Sequence, residues 1–236
     1  MNRLFLVLAA IALLTPMSIA LARPATDSTI GRMSAGEVSG NIYRNSELGF
    51  RYEFPAGWHV SDQPKTAEHQ FGWKDDPSGK SAIERCSKTL LLVTKHNEGV
   101  RINGFDPMAL VIAVDPGCFP PIPFPQSPGD QKAVVDVVMQ VLNHLKTPEV
   151  AAKSTSRVHP FAYAGHVIVE FSQSLSVAIH ESGARGLENI LSSVAVTSTD
   201  RYWTIWIFVA GNDADLGTLK SSKIFFESQS SQGNQR

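Results

Sequence analysis

The chain has 236 residues, 43% of them hydrophobic and 18% charged, which is too apolar for a disordered polypeptide and long enough for one sizeable domain or two small ones. Its 21 Lys+Arg and 22 Asp+Glu nearly cancel, leaving a formal charge of −1, so no global field recruits nucleic acid or acidic lipid. A nucleic-acid partner is not expected.

The chain opens with Arg3 as a lone charge, an apolar run over residues 4–14, a break at Pro16, and Ala20-Leu21-Ala22 before Arg23. That order predicts a signal peptide over residues 1–22, removed on export to the periplasm or the medium. The unbroken apolar core is too short for a membrane span of about twenty residues, so no transmembrane anchor is expected after cleavage. Cleavage takes away Arg3 and no acid, leaving a net charge of −2. Residues 23–40 are rich in Ser, Thr, Ala and Gly without apolar periodicity and read as a flexible lead-in. A single domain is expected over residues 41–227, followed by a polar, disordered tail over 228–236.

Within that domain, strand-like segments fall at residues 41–44, 50–54, 58–61, 89–94, 109–114, 166–172, 194–198 and 202–210. Residues 131–146 carry Val134, Val138, Val141, Leu142 and Leu145 on one stripe, with Asp130 placed to cap a helix. A second helix is expected over 213–223, its start at Asp213-Ala-Asp215 suited to capping. The strand around Trp203 is apolar on both faces, since Trp203, Ile205, Ile207 and Val209 alternate with Tyr202, Thr204, Trp206 and Phe208. It should be central and covered on both sides. Helices on both faces of an antiparallel sheet would supply the cover, an α+β sandwich.

The only cysteines, Cys86 and Cys118, flank the apolar runs 89–94 and 109–114, with their sequence midpoint at residue 102 inside the connection. If the runs pair as a hairpin, the cysteines lie opposite each other at its open end, and in an oxidising compartment they would form a disulfide. Closing that loop contributes roughly 3–4 kcal/mol in the chain-entropy model. The alternative is two buried free thiols.

Ile42-Tyr-Arg-Asn-Ser-Glu-Leu-Gly-Phe50 and Tyr52-Glu-Phe-Pro-Ala-Gly-Trp58 carry the pattern N-x-x-L-G-F…P-x-G-W. With the closing aromatic strand, a short helix and the pair Phe225-Phe226, the chain resembles the PsbP-like domain family over about forty residues at its two ends. The resemblance implies an α/β/α sandwich and little chemistry, since family members range from extrinsic photosystem subunits to exported bacterial proteins without assigned activity. The middle departs from the pattern at 63–88 and at the Pro-rich 119–128. Trp58, following a turn, is expected in the core.

Seven histidines, His59, His69, His96, His144, His159, His166 and His180, show no metal-binding spacing, and neither a metal nor a cofactor is expected. Ser78-Gly79-Lys80-Ser81 lacks the first glycine of a phosphate loop, and no Gly-x-Ser-x-Gly elbow is present. His180 and Glu181, adjacent in a strand, would point apart. His166 and Glu170 would share one strand face with Ile168 between them, an arrangement that suits either a partly wet face or an acid–base pair. The inserts supply Phe71 and Trp73, and the stiff run 119–125 supplies Phe119 and Phe124, at loops that vary without disturbing a sheet. The preferred reading is a monomeric, non-catalytic binding or accessory module of the cell envelope, engaging an envelope protein or small ligand through Phe71, Trp73, Phe119 and Phe124. The alternative is a hydrolase with its site near His166 and Glu170.

Overall fold

A computed structural model describes residues 29–61, 86–96, 106–118, 121–145, 150–181, 184–199 and 201–227. Eleven strands and two α-helices occur among them: β1 (Glu37–Ser39), β2 (Ile42–Asn45), β3 (Phe50–Glu53), β4 (His59–Val60), β5 (Ser87–Thr94), β6 (Met108–Val114), α1 (Gln131–Leu145), β7 (Val150–Tyr163), β8 (His166–Glu181), β9 (Ala184–Ser198), β10 (Trp203–Ala210), α2 (Asp213–Lys220) and β11 (Lys223–Phe226). They form a seven-stranded sheet in the order β4-β5-β6-β10-β9-β8-β7 and a four-stranded sheet in the order β1-β2-β3-β11. The pairings are antiparallel throughout.

The doubly apolar strand β10 lies, as its pattern requires, between β6 and β9, and all eight of its residues are buried. Trp203, Ile205, Ile207 and Val209 face a core closed by Val134, Val137, Val138 and Val141 of α1. Asp130 caps that helix, its Oδ1 accepting the Ala133 N–H at 3.1 Å. The Pro-rich run lies on the same core, with Ile122 and Phe124 packed against it.

Helices do not cover the other face. Trp206, Phe208 and the small residues Ala109, Val111 and Ala113 pack there against Tyr43, Phe50, Tyr52 and Phe54 of the small sheet and its flank. The alternation in β2 and β3, where Tyr43, Asn45, Phe50 and Tyr52 turn inward and their neighbours stay wetter, makes that sheet a one-sided apolar lid. α2 has eight residues and buries only Leu219 among them, too little to cover a seven-stranded sheet. Its N-cap is Asn212, whose Oδ1 accepts the Asp215 N–H at 2.9 Å, rather than Asp213.

Order begins earlier than residue 41. Thr29–Arg32 form a 3-10 turn, and Ile30 within it and Met33 just after it are both buried in the lid core. Three contacts hold it: Lys88 Nζ donates to the Met33 carbonyl, Asn45 Nδ2 to the Ser34 carbonyl at 3.1 Å, and the Tyr43 hydroxyl to the Ala35 carbonyl at 2.8 Å. Gly36 adopts φ +79° with Tyr43 ring atoms and the Arg44 carbonyl only 2.6 Å from where a Cβ would stand, so only glycine fits.

Candidate functional site

β7 and β8 form a long hairpin joined at Ala164-Gly165, with φ of 49° and 83°, the left-handed pair of a two-residue turn. Their register sets His159 opposite Glu170, Phe161 opposite Ile168 and Tyr163 opposite His166. Paired residues in a sheet point to one side, and Ile168 belongs to the core under the small sheet, so all six lie on that face.

The small sheet has four strands against seven beneath it, and its last strand, β11, reaches this hairpin through Phe226. The Phe226 ring stacks on His166 at 4.3 Å and meets Tyr163 and Trp206 edge-on, each at 6.2 Å. His159 stacks on Phe161 at 5.6 Å. The result is an aromatic shelf beside the end of the lid, with Tyr163 45% exposed, His159 exposed, and Phe161, His166 and Phe226 half-buried.

At its far end, Glu170 accepts from Lys220 Nζ at 2.7 Å and from the Ser193 hydroxyl at 3.1 Å. Lys220 comes from the last turn of α2, so this ion pair pins the helix to β8. His166 and Glu170 do share a face, but four residues of strand separate them by about 13 Å, far beyond hydrogen-bond reach. Each is committed elsewhere, His166 to the Phe226 ring and Glu170 to its two donors. The acid–base pair considered from the sequence is therefore not assembled, and the buried Ser193 hydroxyl faces a carboxylate rather than an imidazole.

A second polar cluster ties the β5–β6 end to α2. Lys95 Nζ meets Asp215 at 2.7 Å and His96 Nδ1 meets Asp106 at 2.8 Å. The Lys95 hydrogen bond, helped by Asn212, holds the Asp215 carboxyl below its ordinary range despite slight desolvation. Among the described residues no group of three His, Cys, Asp or Glu side chains is placed to hold a metal ion.

Of the residues singled out from the sequence, Phe124 lies on the opposite face of the large sheet, its ring 5.7 Å from Trp203, and is spent on the core. Trp58 also packs on the core. Phe71, Trp73, Phe119 and the Ser78–Ser81 run fall outside the described residues. Cys86 is buried, and its carbonyl accepts the Asp115 N–H at 2.8 Å, with Ser87 opposite Val114 in the β5–β6 register. Sequence reading did not single out Phe161, Tyr163, Lys220 or Phe226 as site residues. The usable signal was His159-x-Phe161-x-Tyr163, a period-two array of rings just before an Ala-Gly turn.

No protein-family model matches the chain, and no curated protein matches it. Among solved structures it is similar to the solution structure of cyanobacterial PsbP (CyanoP) from Synechocystis sp. PCC 6803, with 14% identity over 81% of this chain and 95% of that one and a TM-score of 0.45.

Proposed function

We propose that this protein is an exported, non-catalytic binding module of the cell envelope, monomeric when free, and that its ligand or partner seats on the aromatic shelf. The observation that carries the reading is the array of exposed His159 and Tyr163 with half-buried Phe161 between them, beside Phe226, its charged neighbours Glu170 and Lys220 already paired to each other. Rings left at a surface present large, rigid contact area at low entropic cost, whereas a carboxylate held by two donors is poorly placed to exchange protons. Phe71, Trp73 and Phe119 remain in the proposal as additional contact residues from the two inserts.

The test is capture from the native envelope fraction by the purified, oxidised protein, compared with His159→Ala/Tyr163→Ala. Both side chains are exposed, so melting should shift by no more than a few degrees while capture falls at least tenfold. Undiminished capture by the double variant would remove the shelf from the reading, and Trp73→Ala in the same assay reports on the first insert.

The Cys86–Cys118 disulfide belongs to the same proposal, because it presumes an oxidising address. It is supported by the antiparallel register that brings residue 115 beside Cys86. Thiol labelling of the denatured, unreduced protein should find none free, and mass spectrometry of the exported form should begin at Arg23. A labelled thiol would remove the bridge, and an intact Met1 would remove the signal peptide.

A further inference from the structure

β11 is the end strand of the small sheet, and the direction of its backbone groups follows from two hydrogen bonds. The Glu227 N–H bonds to the Gly49 carbonyl at 2.8 Å, and Phe54 N–H bonds to the Asn41 carbonyl at 3.0 Å on the other side of β3. In an antiparallel ladder the bonded pairs alternate. Residues 223, 225 and 227 therefore turn their N–H and C=O groups toward β3, while Ile224 and Phe226 turn theirs toward the open edge. The side chains of those same two residues face inward, onto the core beside the shelf.

The other three sheet ends are blunted. β7 contains Pro160, which lacks a donor, and has register shifts at Ala152/Ser154 and Ser156/Val158, with Arg157 at φ 27°. β4 has two residues, and β1 has three, wholly exposed. β11 carries neither proline nor bulge, and its open edge runs beside the exposed rings of the β7–β8 hairpin.

We infer that β11 accepts an added antiparallel strand, an extended peptide segment of a partner protein, whose backbone bonds to Ile224 and Phe226 and whose alternate apolar side chains lie on the aromatic shelf. The inference rests on the binding-module reading and names the partner's chemistry. Charge sets the orientation. Lys223 is exposed at one end of the free edge, and at the other Glu227, which also pairs with Arg44 at 3.0 Å, is still partly exposed, so an antiparallel partner reads basic, apolar, any, apolar, acidic from its N-terminus, with the acidic residue opposite Lys223 and the basic one sharing Glu227 with Arg44. The added strand's inward side chains then meet Phe161, Tyr163 and the Phe226 ring, and its backbone continues the small sheet over the large one.

The probe is the blocked peptide Ser-Lys-Val-Thr-Phe-Glu-Ser, titrated into the full purified protein and followed by amide NMR and hydrogen exchange. The Ile224 and Phe226 amides should shift and exchange at least tenfold more slowly at saturation. N-methylation of the peptide's Val and Phe, which deletes the two ladder donors and leaves the protein untouched, should weaken binding at least tenfold. Exchanging the peptide's Lys and Glu should weaken it about two- to fivefold, as surface ion pairs do. Equal binding of the N-methylated peptide, or binding that leaves both amides unprotected, overturns strand addition. Protection of the two amides by concentration-dependent self-association without peptide also overturns it, naming a second copy as the occupant. If capture that depends on His159 and Tyr163 persists while the peptide fails, strand addition alone falls; if capture is also independent of the shelf, the binding-module reading falls with it.

Discussion

Tyr43 and Tyr52 are among the largest fully buried side chains, and burial pushes both phenols up to about 12, opposed by the Asn45 side chain for Tyr43 and by the Ser222 side chain for Tyr52. Between pH 10 and 12 the folded chain keeps protons that the unfolded chain releases, so unfolding releases protons and stability falls as pH rises through that window. Melting temperature should therefore hold from pH 7 to about 9.5 and drop steeply above pH 10. Tyr52→Phe should flatten the drop, and an equally steep decline in that variant would place its cause elsewhere. Asn45 shows how a short sequence motif becomes a physical device. Its carboxamide accepts the Leu48 N–H at 3.0 Å and donates to Ser34 and Tyr43, so the same side chain shapes the β2–β3 turn and fastens the N-terminal segment.

At the scale of elements, legibility followed burial. β5, β6, β10 and α1 were readable within about two residues because their apolar patterns are continuous or strictly periodic and they form the interior. β7, β8 and β9 have 14, 16 and 15 residues, and most of that length was not readable. Stretches such as Ala151-Ala-Lys-Ser-Thr-Ser156 and Ser172-Gln-Ser-Leu-Ser176 lack apolar alternation, and it is pairing with a neighbour that makes them strands. β11 was missed for a related reason: four residues acquire strand character only through β3, far away in sequence. The candidate site was half legible. His166 and Glu170 drew attention through their shared face, but the rings that define the shelf come together only through the β7–β8 register and β11. The hairpin also carries a correctable strain. Ala164 sits at φ 49°, in a region where a Cβ is unfavourable and where Asn is better tolerated. Ala164→Asn should stabilise the protein by about 0.5–1 kcal/mol, read as a higher denaturation midpoint with an unchanged m-value. A lower midpoint would mean that the turn is held by something other than backbone conformation.

Taken as a whole, the molecule is a large sheet with a helix on one side and a smaller sheet on the other, and the smaller sheet is sewn from both ends of the chain. Glu53 pairs with Lys223 and Phe50 with Phe226, while Ile30 and Met33 wedge under the same layer. Ending the chain at Ser222 would remove four ladder residues and uncover Phe50 and Trp206, both of which lie at the β11 contact. The cost should be about 3–5 kcal/mol, visible as a strongly lowered melting temperature and new binding of a hydrophobic dye, with the large sheet's far-UV signal retained. Unchanged melting would show that β11 only decorates the edge. The β3–β11 pairing also has a kinetic meaning. β2 and β3 are made early, yet their partner β11 lies far downstream, with Lys223 opposite Glu53, so the lid cannot close until that distant strand has been made. Long-range closure of this kind is slow, since the loop entropy must be spent before the contacts form. Refolding should show the large sheet assembling first and the tyrosine-rich layer locking last, because the lid waits on its most distant pairing.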